Sequence, residues 1–146
     1  MLPERIPPRP GGVVDPGDVT ILRRFCEWRD RWGISSDLAV YLTILQERIS
    51  WAVLFIISGY RTPEEQEALR RNPQGRPVAP DALSTHLTCP ATGADLMLSI
   101  AVTDVVKAQF GVQVRLTGLR WGGGSAVDPQ TGIPVDWNHV DLGPRR

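Results

Sequence analysis

The chain has 146 residues, with 16 basic and 16 acidic side chains and a formal net charge of zero. This length suits a single compact domain with one hydrophobic core. The balanced charge implies no sequence-wide attraction to nucleic acid or to an anionic membrane. The longest apolar run, residues 51–57, is too short to cross a bilayer. The two cysteines, Cys26 and Cys89, do not make a disulfide framework.

The first 17 residues are rich in proline and glycine and show no hydrophobic periodicity. This composition is typical of an extended arm. The arm is interpreted as a linker or fraying terminus, with a partner-binding segment as the less favoured alternative. The start of the chain has no apolar signal-peptide core, so we expect synthesis in the cytoplasm. Residues 18–146 are expected to form the single domain.

Two amphipathic helices are predicted after the arm. Asp18 can cap the first helix and Gly33 ends it, whereas Ser35 or Ser36 caps the second. The large apolar side chains of both helices recur at helical spacing, which predicts faces buried in the core. They are Ile21, Leu22, Phe25, Trp28 and Trp32 in the first helix, and Leu38, Tyr41, Leu42, Leu45 and Ile49 in the second.

The middle of the chain predicts a strand, a helix and a loop. Residues 51–57 are continuously apolar and rich in β-forming side chains, which predicts a buried strand. Thr62-Pro63-Glu64-Glu65 is a capping box with proline at the first helical position, and it predicts a helix to about Arg71. Residues 72–85 contain several prolines and are predicted to form a loop.

The last third of the chain predicts short strands around one helix. A strand is expected over residues 94–98, followed by a helix that starts at Ser99 or Thr103 and ends near Gly111. Residues 112–116 alternate in polarity and predict a half-buried strand, and residues 139–142 predict a final one. Glycines 122–124 and the turn at residues 128–132 separate these strands. The order of elements indicates an α+β domain, with helices packed on one face of a small, mainly antiparallel sheet.

The only two histidines, His86 and His139, suggest a metal site together with Asp95. Two imidazoles and one carboxylate are a ligand set that holds a catalytic zinc ion and leaves a fourth position for water. By spacing alone the signal is weak, because most lone histidines are ordinary hydrogen-bonded residues. A structure must bring the three side chains together before the match has meaning.

Three further residues have a functional and an ordinary interpretation. Asp136, three residues before His139, is either a general base beside the metal or a turn aspartate. Asp141 points to the same strand face as His139, so it either orients that ligand or is a solvated charge at the strand end. Arg61 lies between a buried strand and a capped helix. It either donates to an oxyanion or forms a surface ion pair with Glu64 or Glu65.

Five sequence blocks resemble, in order, the zinc peptidases of the D-alanyl-D-alanine carboxypeptidase and L-alanyl-D-glutamate endopeptidase family, which have the hedgehog/DD-peptidase fold. The last two blocks look more like the endopeptidase branch, which includes phage endolysins. The resemblance covers roughly residues 51–143. The blocks are Ser58-Gly59-Tyr60-Arg61-Thr62-Pro63-Glu64-Glu65-Gln66, Ser84-Thr85-His86, Gly93-Ala94-Asp95-Leu96, Arg120-Trp121-Gly122-Gly123 and Asp136-Trp137-Asn138-His139.

The resemblance implies a role for each site residue. His86, Asp95 and His139 would bind zinc, Asp136 would be the general base, and Arg61 would stabilise the oxyanion of the tetrahedral intermediate. The resemblance also implies that two residues contact substrate, namely Ser84 and Trp121.

The chain departs from the family in two respects. Asp95 follows His86 by nine positions, where the family has seven, with Cys89 inside the stretch. Two extra residues keep the same strand face, because side chains alternate with a period of two. Cys89 is interpreted as a small buried thiol, with an approach to the metal as the alternative. The base is aspartate, where much of the family has glutamate.

The sequence thus suggests a zinc-dependent peptidase that hydrolyses a peptide bond in the stem peptides of bacterial peptidoglycan. Lack of a secretion signal favours a phage-associated protein, either an endolysin or a virion component that contacts other virion proteins through the arm. The main alternative is a non-catalytic structural or binding part of a phage particle on the same scaffold. A zinc-stabilised fold without an open site is a third hypothesis.

Overall fold

The computed structural model describes residues 25–71 and 84–143. The predicted arm, the cap at Asp18 and residues 72–83 of the predicted loop therefore lie outside the described residues. None of the described helices is long and apolar enough to cross a membrane. In chain order the elements are α1 (residues 25–32 of a helix), α2 (Ser36–Arg48), β1 (Leu54–Ser58), α3 (Pro63–Arg71), β2 (Gly93–Leu98), α4 (Asp104–Thr117), β3 (Arg120–Trp121), a short 3₁₀ turn (Gly122–Gly124) and β4 (His139–Asp141).

The four strands form one antiparallel sheet in the order β1-β2-β4-β3. On β2, Asp95 lies opposite both of its neighbours, with Ser58 on β1 and His139 on β4 as its partners. A register shift between Ile56 and Ser58 brings Ser58 to this position. The predicted α+β class with an antiparallel sheet is confirmed.

One face of the sheet packs against α1, α2 and α4 and forms the core. The inward strand residues and the helical stripes predicted from the sequence meet there, and each fully buried large side chain contributes about 1.5–3 kcal/mol through burial. The buried set includes Phe25, Leu38, Leu42, Leu45, Leu54, Ile56, Leu96, Leu98, Phe110, Val114 and Val140. The strands that carry the site described below are therefore held in place by a packed hydrophobic core.

The opposite face of the sheet is open along β1 and β2. Phe55 and Met97 are paired across these strands and are 46% and 51% exposed, and Ile57 is 48% exposed. The prediction of a buried strand over residues 51–57 is therefore wrong in two respects. The strand starts at Leu54, and its side chains alternate between the core and the open face because, among the described residues, the helices of the core pack on one side of the sheet.

The predicted helix starts are confirmed by their caps. The Ser35 hydroxyl accepts a hydrogen bond from the Leu38 N–H at 3.1 Å. In the capping box, the Thr62 N–H donates to the Glu65 carboxylate at 3.0 Å, and the Glu65 N–H donates to the Thr62 hydroxyl at 3.2 Å. Each cap satisfies a backbone N–H that the first helical turn leaves without an intrahelical partner.

Helix α4 corrects the prediction for residues 104–117. It runs past Gly111 to Thr117, so the strand predicted over residues 112–116 is wrong. Gly111 lies inside the helix, where its bare Cα accommodates the ring of Trp121; a Cβ there would lie 2.3 Å from ring carbons. The left-handed residue that ends the helix is Gly118, at φ +98°. The apparent alternation came from two exposed apolar residues, Val112 and Leu116, on the outer face.

Candidate metal centre

Three potential ligand atoms converge at the junction of β2, β4 and the loop after residue 84. The Asp95 Oδ1 atom lies 2.9 Å from Nδ1 of His139 and 3.4 Å from Nε2 of His86. The two imidazole nitrogens are 3.2 Å apart. These are the three residues that the sequence analysis selected, and within the described residues they form a group able to hold a metal ion.

The spacing of these atoms fits a zinc ion. Two ligand atoms at about 2.0–2.1 Å from a tetrahedral ion are separated by about 3.3 Å. The three observed separations, 2.9, 3.2 and 3.4 Å, lie close to this value. Neutral imidazole and carboxylate are also donors that zinc accepts readily. With three protein ligands, one position of a tetrahedral site stays open.

The far side of each imidazole is already hydrogen-bonded. Nδ1 of His86 lies 2.6 Å from the carbonyl oxygen of Gly59, and since a carbonyl only accepts, this nitrogen carries the proton. Nε2 of His139 lies 2.8 Å from Oδ2 of Asp141, which holds the second ring in the same manner. The Nε2 lone pair of neutral His86 therefore faces Asp95, and a proton on Nε2 of His139 would leave its Nδ1 free in the same way, as metal ligands must be.

Asp141 lies beneath His139 and is itself held by Arg120. The Arg120 guanidinium donates to both carboxylate oxygens, Nε to Oδ1 and Nη2 to Oδ2, each at 2.9 Å. The Asp141 side chain is fully buried, so this is not a solvated charge at a strand end. Of the two interpretations of Asp141 left open by the sequence, the structure favours an orienting role.

Two glycines let the backbone approach the His139 ring. A Cβ on Gly93 would lie 3.0 Å from Cε1 of the imidazole, and a Cβ on Gly123 would lie 2.5 Å from its Cδ2. Gly123 also has a φ of +58°, in the left-handed region that favours glycine. The backbone thus lies close to the ring on both sides. A side chain at position 123 would collide with the ring, whereas one at position 93 would collide first with the Thr85 side chain.

Arg61 lies beside the ligand carboxylate and forms its ion pair with Asp95. Its Nη2 donates to Oδ2 of Asp95 at 2.7 Å. Its other nitrogens are held by Ser58 and Gln66, at 3.0 and 3.1 Å. Only about 15% of the Arg61 side chain is exposed. The contact leaves Oδ1 of Asp95 as the oxygen that faces the histidines.

The charges of the site stabilise an ionised Asp95 and a protonated His139 when no metal is bound. Burial alone raises the pKa of Asp95, but its contacts with His139 and His86 outweigh burial and lower the pKa. Burial alone lowers the pKa of His139, but Asp141 and Asp95 outweigh it and raise the pKa to about 9. A metal ion therefore competes with one proton for the Nδ1 position of His139.

The remaining predicted site residues lie around this centre with other contacts. The carbonyl of Asp136 accepts a hydrogen bond from the His139 N–H at 2.9 Å, and its own N–H donates to the Ser125 hydroxyl at 3.2 Å. Asp136 thus closes the turn that leads into β4, and its side chain is partly exposed. The Ser84 hydroxyl accepts from the His86 N–H at 3.3 Å and is buried.

Trp121 and Cys89 lie away from the three ligand atoms. The Trp121 ring packs on Gly111 of α4, and its Nε1 donates to the carbonyl of Trp137 at 2.6 Å. Trp121 pairs with the buried Val140, so it lies on the helix side of the sheet, opposite the face of His139. Cys89 is a free, exposed thiol, so its interpretation as a buried thiol is wrong.

Sequence reasoning missed the residues that hold the ligands in place. Arg120, Gly93 and Gly123 were present in the motif blocks, but nothing in their spacing assigned them a role. The role of the Gly59 carbonyl could not have been predicted, because every residue has a backbone carbonyl and the residue type does not show which one accepts a hydrogen bond. Only the positive φ of Gly123 had a sequence signal, namely the run of three glycines.

Comparison with known proteins supports the fold. No protein-family model and no curated protein sequence matches the chain. Among solved structures, the fold is similar to the crystal structure of the L-Ala D-Glu endopeptidase ChiX from Serratia marcescens, with a TM-score of 0.53 and 20% sequence identity. The match covers 75% of this chain and 80% of that one. At this identity the similarity concerns the fold alone.

Proposed function

We propose that the protein is a zinc-dependent peptidase that hydrolyses a peptide bond in the stem peptides of bacterial peptidoglycan. The observation that carries this proposal is the convergence of three ligand atoms, with Oδ1 of Asp95 at 2.9 Å and 3.4 Å from the two imidazoles. The fold similarity to an L-Ala D-Glu endopeptidase supports the proposed substrate class.

The residues divide the chemistry among them. His86, Asp95 and His139 would hold the ion, which supplies Lewis acidity and lowers the pKa of water to about 7. The Asp136 carboxylate would accept a proton from the attacking water and pass it to the leaving amine. The Arg61 guanidinium would donate a hydrogen bond to the oxyanion that develops on the scissile carbonyl.

The hydrogen bonds of Arg61 are compatible with this role. A guanidinium has five N–H groups, and the contacts to Asp95, Ser58 and Gln66 account for three. The same contacts hold the group rigid, so a remaining N–H would meet the developing charge without reorganisation. The resemblance predicts Ser84 and Trp121 as substrate contacts. Ser84 lies in the loop that carries His86, whereas the Trp121 ring lies on the helix side of the sheet, so Trp121 would act on substrate only through the turn that follows it.

Zinc content and peptidoglycan hydrolysis test the proposal together. The purified protein should carry close to one zinc per chain and should release new amino groups from peptidoglycan. His139→Ala should abolish both properties. Asp136→Asn should retain zinc and lose hydrolysis, whereas the matched control Asp104→Asn, on the exposed first turn of α4, should retain both.

The alternatives predict different results. A non-catalytic scaffold protein would bind zinc in the wild type without releasing amines. Absence of zinc binding by a folded wild type would refute the proposal. Release of the D-Glu amino group would identify an endopeptidase. The phage setting, as endolysin or virion component, and a role for the arm at residues 1–17 remain predictions from the sequence.

A further inference from the structure

His139 lies between two carboxylates, and the single proton of the neutral ring can be on the nitrogen that faces either of them. Its Nδ1 is 2.9 Å from Asp95 and its Nε2 is 2.8 Å from Asp141. A neutral imidazole carries one proton, so two tautomers are possible at this position. Only the tautomer with the proton on Nε2 leaves the Nδ1 lone pair free to face Asp95 and His86.

The Asp141 carboxylate has a fixed orientation because three donors surround it. Arg120 donates to both oxygens at 2.9 Å, and the Gly143 N–H donates to Oδ1 at 2.8 Å. The carboxylate is fully buried, whereas the Arg120 side chain is 30% exposed and reaches inward from β3. The forked contact fixes the carboxylate plane, and Oδ2 then points at Nε2 of His139.

We propose that Arg120 is a positioning residue for the metal ligand His139. By holding both oxygens of Asp141, it keeps the proton of His139 on Nε2 and presents the Nδ1 lone pair to the ion. This inference rests on the proposed zinc site. It assigns to Arg120 a function that neither spacing nor fold similarity supplies.

The direction in which zinc affinity changes when Arg120 is replaced distinguishes a positioning role from a purely electrostatic one. A cation close to a zinc site repels the ion, so a charge-only role for Arg120 predicts that its removal strengthens zinc binding. A positioning role predicts the reverse, because loss of a partner behind a ligating histidine typically weakens metal affinity by about 10–100-fold.

The chain offers a matched control. Arg29 also forms a forked pair, with Asp30, through Nε at 2.7 Å and Nη2 at 3.2 Å. Its side chain is 30% exposed, the same fraction as that of Arg120, but it lies on α1 outside the ligand group. Arg29→Met therefore removes an equivalent arginine without touching His139.

The experiment measures zinc dissociation constants by competition with a chromophoric chelator, using the full chain and variants that are folded by circular dichroism. Arg120→Met should bind zinc about 10–100-fold more weakly than the wild type. Arg120→Lys, which keeps the charge and loses the fork, should lie between the two. Arg29→Met should match the wild type. Unchanged or tighter binding by folded Arg120→Met would overturn the inference.

A second measurement tests the tautomer without relying on zinc. Nitrogen-15 NMR of the histidine rings at alkaline pH, in metal-free protein, should show His139 protonated on Nε2 in the wild type and a mixture of tautomers in Arg120→Met. The same tautomer in both proteins would contradict the inference. A wild type with the expected tautomer but no zinc affinity would instead refute the proposed function and leave the positioning role supported.

Discussion

The substitution Gly123→Ala tests whether close approach of the backbone is what confines His139. A Cβ at this position would lie 2.5 Å from Cδ2 and 2.9 Å from Nε2 of the imidazole. Side chains do not tolerate such contacts, so either the glycine turn or the ring must move. Nε2 is the atom that donates to Asp141, and its displacement should rotate Nδ1 away from Asp95.

Two costs add in this variant. An alanine in the left-handed region, where Gly123 has φ +58°, costs about 1–2 kcal/mol. Relief of the collision with the ring costs about 1–3 kcal/mol more, as in other overpacked sites. The control Gly132→Ala has a similar φ, +70°, and no atom within 4 Å of the new Cβ. It should pay only the first cost, so the difference between the variants isolates the contact with His139.

Urea denaturation of the metal-free proteins measures the free energy of unfolding, and chelator competition measures zinc affinity. We expect Gly132→Ala to lose about 1–2 kcal/mol of stability with no change in zinc affinity. Gly123→Ala should lose more stability and at least about tenfold in zinc affinity. If both variants lost the same stability and both bound zinc normally, the argument that backbone confines the ring would be refuted.

Four further predictions follow from the site and the core. Zinc affinity should rise about tenfold per pH unit up to about pH 9, because His139 must lose a proton to bind the ion, and chelator competition across this range measures it. The free energy of unfolding of the metal-free protein, measured by urea denaturation, should fall as the pH rises. The raised pKa of His139 stabilises the fold below its ordinary value of 6.5, and this stabilisation is lost as pH rises through about 9. Gly111→Ala should destabilise the protein by about 1–3 kcal/mol through collision with Trp121, although glycine to alanine within a helix ordinarily stabilises. Chelation should abolish hydrolysis while far-UV circular dichroism persists, because the core forms without the ion; simultaneous loss of both would favour a zinc-stabilised fold.

The sequence predicted the parts of the fold that depend on local chemistry. Ser35 and the capping box at Thr62 were visible because a helix start needs particular residue types at particular offsets. The end of α4 was not predicted, because Gly111 looks like a terminator in isolation and is instead required by a distant ring, that of Trp121. Tertiary packing overrides a local signal in such places, and sequence periodicity cannot contain that information.

In the candidate site, too, the residues recognisable by chemical type were predicted and those placed by tertiary structure were not. The three ligand residues were predicted from their chemical type and from the resemblance of the motif blocks. The residues that orient them were not, since Arg120 reaches Asp141 only through pairing of β3 with β4. Asp141 was the intermediate case. Its position two residues after His139 predicted the shared strand face, while its full burial and its bond to the ligand required the structure.

The unusual separation of His86 and Asp95 is accommodated because sequence distance does not determine where either residue lies. Asp95 is placed by strand register, directly opposite His139. His86 is placed by the connection between β1 and α3, since its ring donates to the Gly59 carbonyl and its own carbonyl accepts from the Arg61 N–H at 2.9 Å. The loop between them needs only to join two independently fixed points, so two extra residues there leave the ligand atoms 3.4 Å apart. A change that weakened either anchor would therefore disturb the site more than a change in loop length.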